Sequence, residues 1–133
     1  MKVLVVDDEE LARERLTRLV NAVVDMTVVG EAKNGVDALQ QVEALQPDVV
    51  LMDIKMPGID GLEVLRRVKR KHPDTQVIIL TGHGSVQSAF ECSKLGAFGY
   101  LQKPFDNDEL LATTARAVEM VSLSRRVRQL EDQ

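Results

Sequence analysis

Tryptophan is absent from this 133-residue chain, cysteine occurs once and aromatic residues make up 3%. Each shortage excludes something. A lone Cys92 cannot form an intramolecular disulfide and fits a reducing, cytoplasmic compartment. Two histidines far apart in sequence, His72 and His83, with one cysteine do not make a zinc site. So few aromatics supply no stacking platform for single-stranded nucleic acid. The net charge of −4 comes with no dense basic run, so direct contact with nucleic acid is not expected. No apolar run approaches the ~18 residues of a membrane span. The start, "MKVLVVDDEE", is a short apolar stretch followed at once by four acids, unlike a signal peptide. Internal repeats and low-complexity linkers are also missing.

What is present is an alternation of strand and helix patterns. Strands are predicted over 2–7, 27–32, 48–53, 75–81 and 98–102. Helices are predicted over 9–23, 35–46, 59–71 and 85–96, the last ending at a glycine, with a fifth starting near Asp106–Asn107, which are good N-cap residues. The expected inward stripes are Leu11, Leu16, Leu19, Val20 and Val23 in the first helix, then Val36, Leu39, Val42 and Leu45 in the second. In the third they are Leu62, Leu65 and Val68. Three of the strands are near-continuous apolar runs, as in parallel sheets covered by helices on both faces. Five rounds of strand and helix predict an α/β fold with an open, doubly wound, five-stranded parallel sheet. An eight-stranded barrel needs a longer chain.

In such sheets ligands bind beyond the carboxyl ends of the strands. The first strand ends in Asp7–Asp8 and the third in Asp53. The fourth ends in Thr81–Gly82, and the fifth in Lys103 before Pro104. Three carboxylates, a hydroxyl and an ammonium group therefore converge on one edge. Clustered carboxylates raise one another's pKa unless a cation sits among them. A hard divalent ion such as Mg²⁺ suits one or two carboxylates plus a phosphate. Lys103 can pair with a carboxylate or with phosphate oxygens.

The motifs "VVDDE" (5–9), "DVVLMDIKMPGIDGLEVL" (48–65), "VIILTGHG" (77–84) and "GYLQKPF" (99–105) resemble the receiver domain of bacterial two-component response regulators. The resemblance covers about residues 1 to 120. It implies the flavodoxin-like, CheY-like strand order 2-1-3-4-5 with five helices. It implies that Asp53 accepts a phosphoryl group from a sensor histidine kinase, and that Asp7, Asp8, Asp53 and the main-chain carbonyl of Lys55 hold Mg²⁺. Thr81 and Lys103 would bind the phosphoryl oxygens, Tyr100 would follow the state of Thr81, and the Lys103–Pro104 bond would be cis. Any self-phosphorylation and autodephosphorylation would make the chain a switch rather than an enzyme.

Plainer roles stand beside these. Asp7 and Asp8 could cap the first helix, Thr81 could be an ordinary strand residue, and Tyr100 could be core packing. His83 reads as a solvated loop residue, His72 as a surface helix-end residue and Cys92 as a small buried or semi-buried helix residue. Two other functions compete. A flavodoxin-like carrier would need a phosphate-binding loop where "DDEE" stands, and an aspartyl phosphatase would need two acids spaced two apart after the first strand.

"DDEELARERL" resembles regulators with a LytTR-type DNA-binding output, and "TGHGSVQSAFECSKLGAFGYLQKPFDNDEL" resembles NtrC-like regulators with an AAA+ output. The two halves point to different outputs. No output motif follows in this sequence, so an output domain or partner protein outside it is expected. Residues 1–119 read as the receiver domain and 120–133 as an extension of its last helix. There Met120, Leu123, Val127 and Leu130 make an a/d seam of about two heptads, with Arg126 at g and Glu131 at e. It reads either as a solvated helix end or as the contact of a parallel homodimer.

Overall fold

A computed structural model describes residues 1–82 and 86–131 of the chain. The expectations for His83, and for the fourth helix beginning at Ser85, lie outside the described residues. Five strands, β1 (Lys2–Val6), β2 (Thr27–Ala32), β3 (Val49–Asp53), β4 (Gln76–Thr81) and β5 (Gly99–Gln102), alternate with five helices. These are α1 (Glu10–Asn21), α2 (Gly35–Leu45), α3 (Gly61–Lys71), α4 (Val86–Lys94) and α5 (Asn107–Glu131). The strands form one sheet in the order β2-β1-β3-β4-β5, every pair parallel. The expected fold class and strand order are both found.

The sheet is buried on both faces because side chains alternate along each strand. Val3, Val5, Val49, Leu51, Ile78 and Leu80 pack on one side against Leu16 and Val20 of α1 and Leu110 and Ala117 of α5. Leu4, Val6, Val50, Met52, Val77 and Ile79 pack on the other side against α2, α3 and α4. Each such side chain, fully withdrawn from water, contributes about 1.5–3 kcal/mol before chain entropy is counted.

Two residues placed inward by the sequence pattern point outward instead. Leu11 is 79% exposed and Val36 is 51% exposed. At the ~100° per residue of an α-helix, Leu11 lies about 160° from the middle of the Leu16–Val20 stripe and Val36 about 140° from the middle of the Ala38–Val42 stripe. Ala38 and Val42 carry the buried stripe of α2, and Val64 joins Leu65 and Val68 in α3. Cys92, expected to be buried or semi-buried, is fully buried. His72 caps the C-terminus of α3 and contacts Glu43 at 2.9 Å.

Local chemistry sets the helix starts. Asn34 accepts from the Asp37 amide at 2.8 Å and Asp60 from the Glu63 amide at 3.0 Å, so each side chain satisfies an amide of its helix's first turn. Asp106 does the same for Asp108 at 2.8 Å. α5 continues without a break past the sheet. Val121 is still buried there, and Arg125 and Arg128 turn back to Asp48 and Asp74 in the loops that lead into β3 and β4. Asp48 also accepts the Lys2 amide at 2.7 Å.

Gly61 decides how closely α3 approaches the end of β3. A Cβ there would lie 2.6 Å from the Ile54 Cα and 2.9 Å from the Asp53 carbonyl oxygen, backbone atoms that cannot step aside. The Gly61 amide donates to the Ile54 carbonyl at 2.9 Å across the same contact. Gly61→Ala should therefore lower stability by about 1–2 kcal/mol: overpacking of ~1–3 kcal/mol is partly offset by alanine's better helix propensity. Urea unfolding measures this, and an unchanged midpoint would mean that the helix shifts freely.

Candidate functional site

In a parallel sheet all the carboxyl ends share one edge, and the register sets what meets there. Val6 is paired with Met52, which brings Asp7 beside Asp53. Asp53 is paired with Leu80, so Thr81 follows directly, and Thr81 is paired with Gln102, the residue before Lys103. The Lys103 amide donates to the Thr81 carbonyl at 2.7 Å, which fixes the base of the lysine. The Lys103–Pro104 bond is cis.

Lys103 Nζ donates to Asp7 Oδ2 at 2.9 Å and lies 3.8 Å from Asp53 Oδ2. Asp7 is buried, and every polar group it has is engaged. Its amide donates to the Ala32 carbonyl at 3.0 Å, and its Oδ1 accepts the Glu9 amide at 2.9 Å. Its carbonyl accepts Arg13 Nη1 at 2.7 Å. Asp7 is not the helix cap weighed from the sequence: the N-cap of α1 is Glu9, which has no side-chain capping bond, and Asp7 accepts the amide of that residue instead. Asp53 Oδ1 accepts the Lys55 amide at 3.3 Å, so Lys55 contributes its main-chain N–H to this carboxylate. Asp8 is exposed beside them. Carboxylate oxygens of Asp7, Asp8 and Asp53 all lie within 4.8 Å of one another, an oxygen-only donor set that suits a hard divalent cation.

The electrostatics agree with that geometry. Burial pushes the Asp53 carboxyl above its ordinary value. Lys103 and the Lys55 amide oppose this, and the charges of Asp7 and Asp8 add to it. Burial draws the Lys103 ammonium down. The hydrogen bond to Asp7 and the charges of Asp7, Asp53 and Glu9 outweigh that and raise it. The lysine's contribution is therefore complete at neutral pH and lost only as alkali passes its raised pKa.

Thr81 is buried at the end of β4. Tyr100 on β5 packs half-buried on the core, and its hydroxyl meets Ser88 Oγ of α4 at 2.9 Å. Two hollows flank the carboxylates. A cleft of about 740 Å³ lies on the Asp8 side, between Lys33, Val36 and Pro57. Another of about 350 Å³ lies on the Lys103 side, against Arg15 and Phe105. Arg13 is the neighbour that the sequence did not single out. Nothing local separates it from Arg15 and Arg18, and only its direction on α1 does.

An acid whose pKa rises on folding contributes stability below its unfolded pKa, and this is lost as pH climbs through the folded one. Ionised Asp53 thus costs stability near neutrality. Without metal, Asp53→Asn should melt about 2 °C or more above the wild type at neutral pH. The gap should shrink as the pH falls into the carboxylate range. Scanning calorimetry across pH measures it, and a lower melting point for Asp53→Asn throughout would contradict the sign.

Residues 3–115 match the response regulator receiver domain family. The chain is 43% identical over 128 residues to the positive alginate biosynthesis regulatory protein of Pseudomonas aeruginosa, covering 96% of this chain and 49% of that one. It is 43% identical over 117 residues to the DNA-binding transcriptional regulator NtrC of Escherichia coli, covering 87% of this chain and 24% of that one. The chain thus spans about half or a quarter of the length of these relatives. Among solved structures it is similar to a CheX-CheY-BeF3-Mg+2 complex from Borrelia burgdorferi, with a TM-score of 0.84 and 25% identity over 89% of each chain. The family decides among the three functions weighed from the sequence: the chain belongs to the receiver domains of two-component response regulators.

Proposed function

We propose that Asp53 is the phosphoryl acceptor and that a sensor histidine kinase is the donor. The observation that carries this is the place of Asp53. It stands at the tip of the central apolar strand, beside Lys103 and clustered with Asp7 and Asp8. An oxygen of Asp53 would form the new bond to phosphorus while the bond from phosphorus to the kinase histidine nitrogen breaks, its electron pair staying with nitrogen. Transfer of this kind depends on positioning and charge neutralisation. Lys103, 3.8 Å from Asp53, supplies one positive charge at the phosphoryl oxygens, and Thr81 supplies a hydroxyl at the same edge.

Asp7, Asp8, Asp53 and the Lys55 main-chain carbonyl would hold Mg²⁺. That ion neutralises phosphoryl charge when bound. The switch would run through Thr81 to Tyr100, whose hydroxyl bond to Ser88 couples β5 to α4. Its purpose would be to control an output domain or partner, in the cytoplasm. The halves of the sequence point to different outputs, LytTR-type and NtrC-type, and neither is assigned to this chain. Small phosphodonors would serve in place of the kinase, and the only catalysis would be the chain's own phosphorylation and dephosphorylation.

Incubation with acetyl phosphate and Mg²⁺ should add one phosphoryl group, mapped to Asp53 by mass spectrometry. None should be added to Asp53→Asn. Undiminished incorporation in that variant would refute the assignment.

We further infer that residues 120–133 extend the receiver of residues 1–119 as the contact of a parallel homodimer. In α5, Val121, Arg125 and Arg128 face the body. Met120, Leu123, Val127 and Leu130 are 43–64% exposed on a stripe roughly 150° away. Arg126 and Glu131 flank that seam with opposite charges, which a second copy of the chain would pair. Sedimentation of the full chain should show a dimer that is lost when the chain ends at Val118. Monomers in both cases, phosphorylated or not, would exclude it.

A further inference from the structure

We propose that Arg13 is a positioning residue for the metal-binding acids. It fixes the peptide that joins Asp7 to Asp8 and so directs the Asp8 carboxylate toward Asp7 and Asp53. The inference rests on the reading that this cluster holds a divalent cation.

Arg13 sits on α1 with its side chain only 16% exposed. A guanidinium withdrawn that far from water needs partners. One is the Asp7 carbonyl, which accepts Nη1 at 2.7 Å. Another is Glu31 of β2, whose Oε1 lies 3.5 Å from Nε. Glu31 adjoins Ala32, the residue whose carbonyl accepts the Asp7 amide at 3.0 Å. The main chain of Asp7 is thus held from two sides, by β2 directly and by α1 through the arginine.

The carbonyl of Asp7 and the amide of Asp8 form one rigid plane. Fixing the direction of the carbonyl therefore restrains the orientation of the Asp8 Cα and the side chain it carries. Asp7 needs no such help, because its carboxylate is already bound by the Glu9 amide and by Lys103. The Asp8 carboxylate has no hydrogen bond of its own among the described residues, yet it lies within 4.8 Å of the other two. Its direction is set through the backbone, and the guanidinium fork is what spans the Asp7 carbonyl and Glu31 together.

Charge and positioning predict opposite signs. A fixed cation near a cation site repels the metal, so if Arg13 acted by charge alone its removal would tighten Mg²⁺ binding. If it acts by positioning, its removal weakens binding.

The test is titration of the full chain with Mg²⁺, followed by the amide NMR shifts of Asp8 and Lys55, with no phosphodonor present. Arg13→Met should bind about tenfold more weakly than the wild type, the low end for losing a group that orients a metal ligand. Arg13→Lys keeps the charge but not the fork, and should fall between the two. Unchanged or tighter binding in Arg13→Met overturns the proposal. Should that variant not fold, wild-type affinity in Arg13→Lys overturns it instead. If the wild type shows no saturable Mg²⁺ binding, the metal reading fails and this inference falls with it. If the wild type binds and the variants do not differ, only the role of Arg13 is lost.

Discussion

Lys103 reaches over the sheet edge to touch Asp7 at 2.9 Å and to stand 3.8 Å from Asp53, and the surrounding structure serves to bring those three groups together. Carboxylates as close as these repel one another. At an effective dielectric near 20, unit charges 4 Å apart interact by about 4 kcal/mol before salt screens them. One ammonium group faces two buried acids, while Asp8 stands beside them in solvent. The burial that lifts the pKa of Asp53 also makes the lysine's charge effective, because less water lies between them. Three carboxylates against one ammonium group leave this cluster with an excess of negative charge, which attracts a divalent cation.

Holding that arrangement takes the whole sheet. The three central strands, β1, β3 and β4, are apolar on both faces, so their register cannot slip without exposing valine and isoleucine side chains on one side or the other. Register in turn places Asp7, Asp53 and Thr81 side by side. α3 meets the end of β3 through Gly61, whose missing Cβ lets the helix lie against the Asp53 and Ile54 backbone. α1 contributes Arg13 from one side, and the strand end of β5 contributes Lys103 from the other. The opposite edge of the sheet is closed by different chemistry: Asp48 binds both the Lys2 amide and Arg125, so the long helix α5 is tied to the body far from the carboxylates.

Much of this architecture is written in local sequence. Alternating apolar runs and amphipathic segments gave all ten elements in order, since burial on both faces leaves a plain mark on composition. The strand ends carry Asp7, Asp53, Thr81 and Lys103 in places where a parallel sheet must bring them together, so the cluster is legible in the sequence. The pattern was weaker near helix starts. Leu11 and Val36 are apolar, but apolar character alone does not say on which side of the helix a residue stands. Only the packed stripes, fixed by Leu16 and Val20 in one helix and Ala38 and Val42 in the other, leave these two in solvent. What the tertiary structure alone decided are the contacts between residues remote in sequence or undistinguished locally. Arg125 meets Asp48 across 77 positions, and Arg13, one of three arginines on α1, is the one turned toward the Asp7 carbonyl. Local sequence carries no record of such pairs, because each residue is an ordinary charged side chain until the folding of the sheet sets its neighbour beside it.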